Sequence, residues 1–328
     1  MNNVIGQRKI SLLVTGYNGF IGTSLCRELH QHEFTVRATV RLANLLSETT
    51  ETLAVGAIDS ATDWSEALCN VDVLVHLAAR VHVMNDTASD ALAEFRKVNV
   101  EGTLNLARQA VEAGVQRFIF MSSIKVNGEG TRLGHPYTVY DQSAPIDPYG
   151  ISKCEAEEAL RKLANETGME VVIIRPPLVY GPGVKANFYT MMRWLEKGLP
   201  LPLGAIHNKR SFIALDNLIN LIVTCITHPA AANQTFLAAD GEDLSTTELL
   251  QRIGNALGKP AKLIPVPVWL LNTGAMLLGK KDMAPRLFHS LQVDISKTCE
   301  LLNWQPPVSV DDALKKTVAD FLQKLSTG

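Results

Sequence analysis

A glycine-rich turn near the start of the chain restricts the possible folds more than any other feature. The segment LLVTGYNGFIG (residues 12–22) leads from an apolar stretch into a helical pattern and contains Gly16, Gly19 and Gly22. A strand, a tight glycine turn and a helix in this order are typical of the first unit of a parallel α/β sheet. The bare backbone lets an anionic group approach the free N–H groups of the helix N-terminus. The sequence therefore predicts an α/β fold with an anion site at this turn.

Strand-like and helix-like patterns alternate through the first half of the chain. Alternation of this kind is typical of a parallel sheet with helices on both faces, and near-continuous apolar strands fit a sheet that is buried on both sides. We therefore predict a Rossmann-type, doubly wound parallel sheet. The predicted strands are 9–15, 34–40, 52–58, 72–79, 116–123 and 170–176, and the predicted helices are 20–32, 88–113 and 149–167.

Beyond Pro176 the composition changes, and this indicates a second domain. RPPLVYGPG and EKGLPLPLG are rich in proline and glycine, as loops and domain joins are. Helices are predicted at 216–228, 245–257 and 310–325, with a short strand at QTFLAA. We expect a larger domain of residues 8–176 plus about 212–238. A smaller C-terminal α/β domain would comprise 177–211 plus about 239–328 and would hold the substrate.

Charge and cysteine content exclude several classes of function. The formal net charge of the 328-residue chain is −2, with both signs interspersed, so no nucleic-acid surface is expected. No stretch reaches the ~18 apolar residues of a membrane span. The segment 266–279 comes nearest, and we predict that it is a helix packed on the second domain rather than an interfacial helix, with no stable membrane insertion. Five scattered cysteines without a CxxC pair predict reduced thiols, no metal site and a cytoplasmic location.

The glycine turn predicts a dinucleotide cofactor. In this motif the glycines permit the tight turn, the approach of a pyrophosphate and the close packing of the helix on the sheet. NAD sites usually have an acidic residue at the end of the second strand, whereas TVRATVR has only Arg37 and Arg41 near that point. Arg41 could pair with a 2′-phosphate, so NADP(H) is favoured and NAD(H) stays open. Arg37 is expected to be a solvated strand residue.

YGISK (residues 149–153) predicts chemistry as well as binding. Tyr149 and Lys153 lie four residues apart and would share a helix face. An ammonium group near the phenol would favour its ionised form, so that Tyr149 could exchange a proton with a substrate oxygen. Ser122 and Ser123 end the fifth predicted strand, at the sheet edge where open α/β folds bind ligands. Ser123 is the predicted catalytic hydroxyl and Ser122 a predicted cofactor contact.

Taken together, these pieces resemble the extended short-chain dehydrogenases/reductases. TGYNGFIG, HLAA, VNVEGT, MSSIKVNG, YGISK and RPPLVYGPG occur in the family's order between residues 12 and 183. The resemblance implies a catalytic triad of Ser123, Tyr149 and Lys153, in which Lys153 also holds the nicotinamide ribose. The cofactor contacts that the resemblance and the motifs imply are Gly16, Gly19, Phe20, Ile21, Gly22, Arg41, Ile58, Asp59, Leu77, Ala78, Ala79, Asn99, Ser122, Tyr149, Lys153 and Pro176.

Within that family the chain resembles enzymes that act at C4 of UDP-sugars. KANFYTMMRWLEKGLPLPLG and KRSFIALDN resemble the family's substrate loops. The implied substrate contacts are Asn187, Phe188, Arg210 and Arg286. Sugar-nucleotide dehydratases carry an Asp-Glu pair where this chain has Ile124, Lys125 and Val126, so dehydration is not expected. Asn127 stands where many relatives have tyrosine.

The resemblance leaves two main activities open. The ending VRATVR of the second strand favours a 4-keto-6-deoxy-N-acetylhexosamine reductase in surface-polysaccharide synthesis. The alternative is a UDP-hexose 4-epimerase acting on UDP-glucose or UDP-N-acetylglucosamine. More remote alternatives are a dihydroflavonol-type carbonyl reductase, an NADP-sensing binding module and an enzyme for a lipid-linked sugar. A homodimer is expected, since two-fold dimers are the commonest symmetric assemblies.

Overall fold

The computed structural model describes residues 8–45, 47, 50–81, 90–277 and 288–327. Its strands are β1 (Ile10–Thr15), β2 (Phe34–Val40), β3 (Glu51–Ala54), β4 (Val73–His76), β5 (Arg117–Met121), β6 (Glu170–Arg175), β7 (Leu178–Tyr180), β8 (Arg210–Ala214), β9 (Thr235–Leu237) and β10 (Asp243–Leu244). Its α-helices are α1 (Phe20–Leu29), α2 (Ala91–Arg96), α3 (Thr103–Glu112), α4 (Pro148–Thr167), α5 (Ala186–Glu196), α6 (Leu215–Thr227), α7 (Thr246–Ala256), α8 (Val268–Leu277), α9 (Ser296–Leu302) and α10 (Val310–Thr327). Lys97–Gly102 form a π-helical turn between α2 and α3.

The predicted doubly wound sheet is confirmed. Seven strands form one sheet in the order β3-β2-β1-β4-β5-β6-β9, and the pairs from β3 to β6 are all parallel. The strand order reverses between β1 and β4. Open α/β sheets bind ligands at such a switch point, beyond the carboxyl ends of the strands. Every residue of β4 and β5 is buried, as expected for central parallel strands.

The chain divides into two compact units. The first contains the described residues up to Gly128, together with Ser143–Arg175 and Ile222–Phe236. Its core packs Leu13, Leu74 and Phe118 of the sheet against Leu106 of α3 and Leu160 of α4. This unit contains the glycine turn and all three predicted catalytic residues.

The second unit contains Glu129–Gln142, Pro176–Leu221 and the described residues from Leu237 onward. It has a three-stranded sheet in the order β10-β8-β7, with β7 parallel and β10 antiparallel to β8. Its core joins α5, α7 and α10 through Met192, Leu250 and Phe321. No helix in the described ranges is both long and apolar enough to cross a bilayer.

The boundaries of the two units differ from the predicted domains in two places. Residues 129–142 belong to the second unit because Thr131 and Tyr137 form bridges to Ser290 and Val293. Residues 212–221 also belong there, since the Ala214 N–H and the Asn217 side chain both donate to Asp240. Long-range pairing of this kind leaves no local signal in the sequence.

Several predicted elements are shorter or interrupted. The third strand ends at Ala54 rather than residue 58, because the chain turns at Gly56 with a φ of 74°. The predicted continuous helix of residues 88–113 is divided, within its described part, by the π-helical turn at Lys97–Gly102. A π-helical turn adds a residue to the helix and is frequent at functional sites.

Candidate active site

The glycine turn between β1 and α1 is a cradle that no side chain could enter. Gly16 has a φ of 77°, and a Cβ there would lie 2.8 Å from the backbone nitrogen of Ala78. A Cβ on Gly22 would lie 2.2 Å from the carbonyl oxygen of Gly16. Gly19 is the N-cap of α1 and offers no side chain to the first helical N–H groups. These groups are therefore available to an anion, and the cradle fits the pyrophosphate of a dinucleotide.

The two arginines in and just after β2, Arg37 and Arg41, lie in different environments. Arg37 is not solvated: its guanidinium lies 2.7 Å from a Glu51 oxygen and also donates to the carbonyls of Ala67 and Cys69. These contacts hold β2 to β3 and to the segment that precedes β4. Arg41, just beyond β2, is exposed. Its pairing with a 2′-phosphate stays a prediction.

The other predicted cofactor contacts of this region lie around the same sheet edge. Asp59 accepts a hydrogen bond from the Ala61 N–H at 2.9 Å. Ile58 packs closely on Gly102: a Cβ added to that glycine would lie 2.7 Å from the Ile58 Cγ2 atom. Ala78 donates its N–H to the Thr15 hydroxyl. Leu77 and Ala79 are its neighbours on the half-buried segment that follows β4. Phe20 and Ile21 begin α1 directly after the cradle.

The structure brings the three predicted catalytic residues to one edge of the first unit. Ser123 follows β5, and Tyr149 lies in the first turn of α4, where the Ser123 side chain is near enough to lower the pKa of the phenol. Helix α4 begins here because Pro148 follows the N-cap Asp147, whose side chain accepts from the Gly150 N–H at 2.6 Å. A proton donor and a hydroxyl partner are thus fixed side by side.

Burial sets the protonation state of the catalytic phenol. Burial, and to a smaller extent the nearby Asp147 carboxylate, raise the pKa of Tyr149 to about 12, against the opposing effect of the Ser123 side chain. The phenol is therefore protonated at neutral pH in the chain alone. It starts as a proton donor and needs cationic neighbours before it can accept a proton.

Lys153 lies one helical turn beyond Tyr149 and is almost completely buried. Its ammonium donates to the Met121 carbonyl at 2.8 Å and lies 4.3 Å from the centre of the Phe120 ring. Burial lowers the pKa of Lys153 to about 7, partly opposed by the Glu157 carboxylate. The lysine can therefore change charge near neutral pH.

A buried ionic cluster beneath the triad was missed by the sequence analysis. Glu157 is fully buried and accepts from Ser122 at 2.5 Å and from Arg175 at 2.5 and 2.8 Å. Arg175 in turn donates to the Asn127 side chain at 2.8 Å. The only signal in the sequence was the four-residue spacing of Tyr149, Lys153 and Glu157. The cluster accounts for Asn127 and shows that the Ser122 hydroxyl is bonded within the protein. The predicted contact of Ser122 with the cofactor stays a prediction.

A second buried polar group joins the glycine turn to the neighbouring strand. The His76 ring nitrogens lie 2.7 Å from the Thr15 hydroxyl and 3.0 Å from the Thr103 hydroxyl. Burial, with a smaller contribution from Lys153, lowers the pKa of His76 to about 3. This histidine is therefore neutral at physiological pH and acts as a structural hydrogen-bonding link.

Asn99 occupies the π-helical turn and is buried. Its amide exchanges two hydrogen bonds with the backbone of Arg80 and donates to the Ser152 hydroxyl at 3.0 Å. Ser152 lies directly before Lys153. Asn99 therefore fixes the segment after β4 against the catalytic helix, and its predicted contact with the cofactor stays a prediction.

Comparison with known proteins identifies the family. Residues 12–239 match the family described as "NAD dependent epimerase/dehydratase family". The chain belongs to this family. A relative from Vibrio cholerae named "UDP-glucose 4-epimerase" is 50% identical over 327 residues, covering 97% of this chain and 98% of the relative.

More distant proteins are similar to this chain in fold or in sequence. The crystal structure of a UDP-N-acetylglucosamine 4-epimerase from Bacillus cereus matches with a TM-score of 0.78 and 22% identity, covering 98% of this chain and all of the other. An Escherichia coli O157:H7 relative is named "N-acetyl-alpha-D-glucosaminyl-diphospho-ditrans,octacis-undecaprenol 4-epimerase". It is 29% identical over 272 residues, which cover 80% of this chain and 77% of the relative.

In this family member, the predicted substrate residues of the second unit have different environments. Asn187 is exposed at the start of α5. Arg210 is half-buried at the start of β8 and donates to the His289 carbonyl. Phe188 is buried in the core, stacked on Tyr180 with ring centres 5.3 Å apart, and its predicted contact with substrate stays a prediction.

The structure gives less information about the two remaining predicted positions, Pro176 and Arg286. Pro176 is buried directly after β6. Arg286 lies outside the described residues. The roles of Pro176 and Arg286 therefore stay predictions from the family resemblance.

Proposed function

We propose that this protein is an NAD-dependent epimerase that inverts C4 of a UDP-hexose. The observation that carries the proposal is an intact Ser123, Tyr149 and Lys153 site in a chain that is 50% identical, over 97% of its length, to a UDP-glucose 4-epimerase. A binding module has no need of this acid–base pair. The enzyme reading is therefore favoured over an NADP-sensing module.

The comparisons favour epimerisation over the 4-keto reduction that the end of β2 suggested. Both the Vibrio cholerae and the Escherichia coli relatives are named as 4-epimerases. Solved structures of the same fold, such as a UDP-glucuronic acid 4-epimerase from Bacillus cereus, contain NAD. We therefore propose NAD in place of NADP as the cofactor of this chain.

The glycine cradle and the first turn of α1 would hold the pyrophosphate, with Lys153 at the nicotinamide ribose. When bound, NAD supplies a reversible hydride acceptor for the carbon that is inverted. Tyr149 exchanges a proton with the C4 oxygen, and Ser123 holds that oxygen by its hydroxyl. Lys153 supplies the positive charge that favours the ionised phenol.

The three positions after Ser123 do not carry the acid that a dehydratase has there. Ile124 and Val126 are buried apolar residues, and Lys125 pairs with Asp147. Departure of a 6-hydroxyl would need a carboxylic acid at those positions. The site is therefore suited to moving a proton and hydride at C4 without elimination.

A product assay distinguishes the two leading activities. Purified enzyme is incubated with UDP-glucose, without added cofactor, and the sugar products are separated and identified by mass spectrometry and NMR. We expect interconversion of UDP-glucose and UDP-galactose with no net oxidation of cofactor. The same assay with UDP-N-acetylglucosamine tests the acetylated substrate.

A parallel reaction contains NADPH and a UDP-4-keto-6-deoxy-N-acetylhexosamine. Stoichiometric NADPH oxidation there, with no C4 interconversion in the first assay, would establish the reductase and reject the epimerase. The Escherichia coli relative motivates a third arm with a sugar on a diphospho-polyprenol. If the enzyme turns over only that substrate, the proposed substrate class is wrong, whereas the proposed chemistry at C4 stands.

A further inference from the structure

Two segments of the second unit form one continuous surface. Residues 197–206 and 257–277 are joined by a bridge between Leu201 and Leu263. The Leu201 N–H donates to the Lys262 carbonyl at 2.9 Å, and the Ile264 N–H donates to the Leu201 carbonyl at 2.8 Å. We call these two segments the α8 surface, because α8 is their only regular helix.

Helix α8 is apolar on the face that packs against the second unit and also on the face that is exposed to solvent. Val268 and Leu271 pack against the core of the second unit. Trp269 and Met276, seven residues apart and therefore on one helix face, are 67% and 61% exposed. A helix on the surface of a domain normally presents polar residues outward.

The neighbouring loops extend the apolar area beyond the helix. Ile264 is 49% exposed and Leu199 is 42% exposed, and both flank the Leu201–Leu263 bridge. Leu270 adds a further exposed side chain to α8. Single exposed apolar residues are normal, whereas a contiguous group of this kind marks an interaction site.

The charge of the α8 surface identifies the partner's chemistry. Its two segments contain no aspartate or glutamate, although the whole chain has a net charge of −2. Lys197 and Lys262 are exposed, and within the described ranges neither forms an ion pair with a carboxylate. Lys259, the third lysine of these segments, pairs with Glu196 directly before the first segment. Apolar side chains with a tryptophan, bordered by Lys197 and Lys262, match the acyl chains and anionic headgroups of a membrane surface.

We propose that the α8 surface docks this protein on the face of an anionic lipid bilayer. Trp269, Leu270 and Met276 enter the headgroup region, while Lys197 and Lys262 contact lipid phosphates. The 10-residue α8 is only about 15 Å long, so it lies along the interface and does not span the membrane. Helix α5 leads from Asn187 to Lys197, which places the predicted substrate contact about 15 Å from this surface.

Vesicle co-sedimentation of the full chain tests the proposal without any assay of turnover. Vesicles of phosphatidylcholine with phosphatidylglycerol are compared with vesicles of phosphatidylcholine alone. We expect binding to the anionic vesicles that weakens as salt is raised. Lys197→Gln with Lys262→Gln should weaken it about 25-fold, because each lysine near an anionic surface contributes roughly fivefold. Trp269→Ser should weaken it by at least about tenfold.

Control variants carry the same kinds of substitution at exposed positions outside the α8 surface. Leu133→Gln removes an apolar side chain of similar exposure, and Lys162→Gln with Lys315→Gln removes two exposed lysines. These variants should bind vesicles as the wild type does. Epimerase turnover on a soluble UDP-sugar should be unchanged in all of them, so failure of the docking proposal is distinct from failure of the proposed function.

Two results would overturn the proposal. One is equal vesicle binding by wild type, Trp269→Ser and the double lysine variant. The other is a Trp269→Ser protein that sediments as a smaller oligomer in analytical ultracentrifugation, since the surface would then be an interface between copies of this chain.

Discussion

Tyr149 and Lys153 occur as a pair because a helix places residues four apart on the same face. The sequence predicted this pairing, but not the electrostatic consequence of burying both groups. Burial moves the two pKa values in opposite directions, to about 12 for the phenol and about 7 for the amine. The resting site thus holds a neutral phenol beside a lysine that is poised between its two charge states.

Replacing Tyr149 with phenylalanine tests its assigned role. Tyr149→Phe keeps the ring that packs edge-on against Phe95, with ring centres 6.1 Å apart, and removes only the hydroxyl. We expect turnover to fall by about 10²- to 10⁴-fold, since general acid–base catalysis contributes that much, while NAD affinity stays nearly unchanged. Steady-state kinetics and a cofactor titration measure the two effects. Tyr140→Phe, at an exposed tyrosine, is the matched control, and wild-type turnover in Tyr149→Phe would reject the mechanism.

His76 makes the free energy of unfolding depend on pH below about 6.5. Its pKa is about 3 in the folded chain, well below the 6.5 of an unperturbed histidine, so between these values the unfolded chain binds the extra proton. Stability attributable to His76 is therefore unaffected above pH 6.5 and is lost as the pH falls toward 3. At about pH 4.5 the loss should be about 3 kcal/mol.

Urea unfolding of wild type and His76→Gln at neutral pH and at about pH 4.5 measures this effect. Glutamine can still bond Thr15 and Thr103, and it does not titrate. The variant should lose less stability on acidification than the wild type does, and His207→Gln, at an exposed histidine, should behave as the wild type. Parallel acid profiles for wild type and His76→Gln would show that the buried imidazole is not the cause.

Among the secondary-structure elements, α4 carries more of the site than the motif alone indicates. Tyr149, Lys153 and Glu157 follow one another at a four-residue spacing along one face of this 20-residue helix. The first contacts Ser123, the second contacts the end of β5, and the third pairs with Arg175 of β6. A single helix thereby connects the catalytic phenol to the buried centre of the sheet.

Glu157→Gln tests that connection. Removing the charge leaves the Arg175 guanidinium buried without a counter-ion, which should cost about 3–5 kcal/mol of unfolding free energy. Glu157 also raises the pKa of Lys153, so the activity profile of the variant should shift to lower pH. Urea unfolding and a pH–rate profile measure the two effects.

Arg161→Gln is the control for this variant, because Arg161 contacts the same carboxylate from a half-exposed position. It should cost less than about 1 kcal/mol. Equal stability losses in the two variants, or an unshifted pH profile in Glu157→Gln, would show that Glu157 does not support the lysine.

The chain as a whole builds two compact units with a core and a sheet in each. The first holds the glycine cradle and the triad, and the second holds Asn187, Arg210 and the α8 surface. Under the proposed function, the C4 chemistry belongs to the first unit and the predicted substrate contacts belong to the second. The homodimer and the cytoplasmic location stay predictions.

The parallel sheet, the glycine turn and the placement of Ser123, Tyr149 and Lys153 at one sheet edge could all be predicted from the order of the amino acids. These features depend on local periodicity and on short motifs, because residues that act together there are neighbours on one strand, turn or helix. The extents of β3 and of the helices before β5 were less well predicted, since glycine turns and a π-helical turn interrupt regular patterns.

Which polar groups are buried together became visible only in the folded chain. Glu157 meets Arg175 and Ser122, Arg175 meets Asn127, and His76 meets Thr15 and Thr103, across separations in sequence that no motif records. The fold likewise placed Phe188 in the core and left Trp269 exposed. Burial is a property of the assembled chain, and burial is what sets the pKa values, the hydrogen-bond partners and the free surfaces on which function depends.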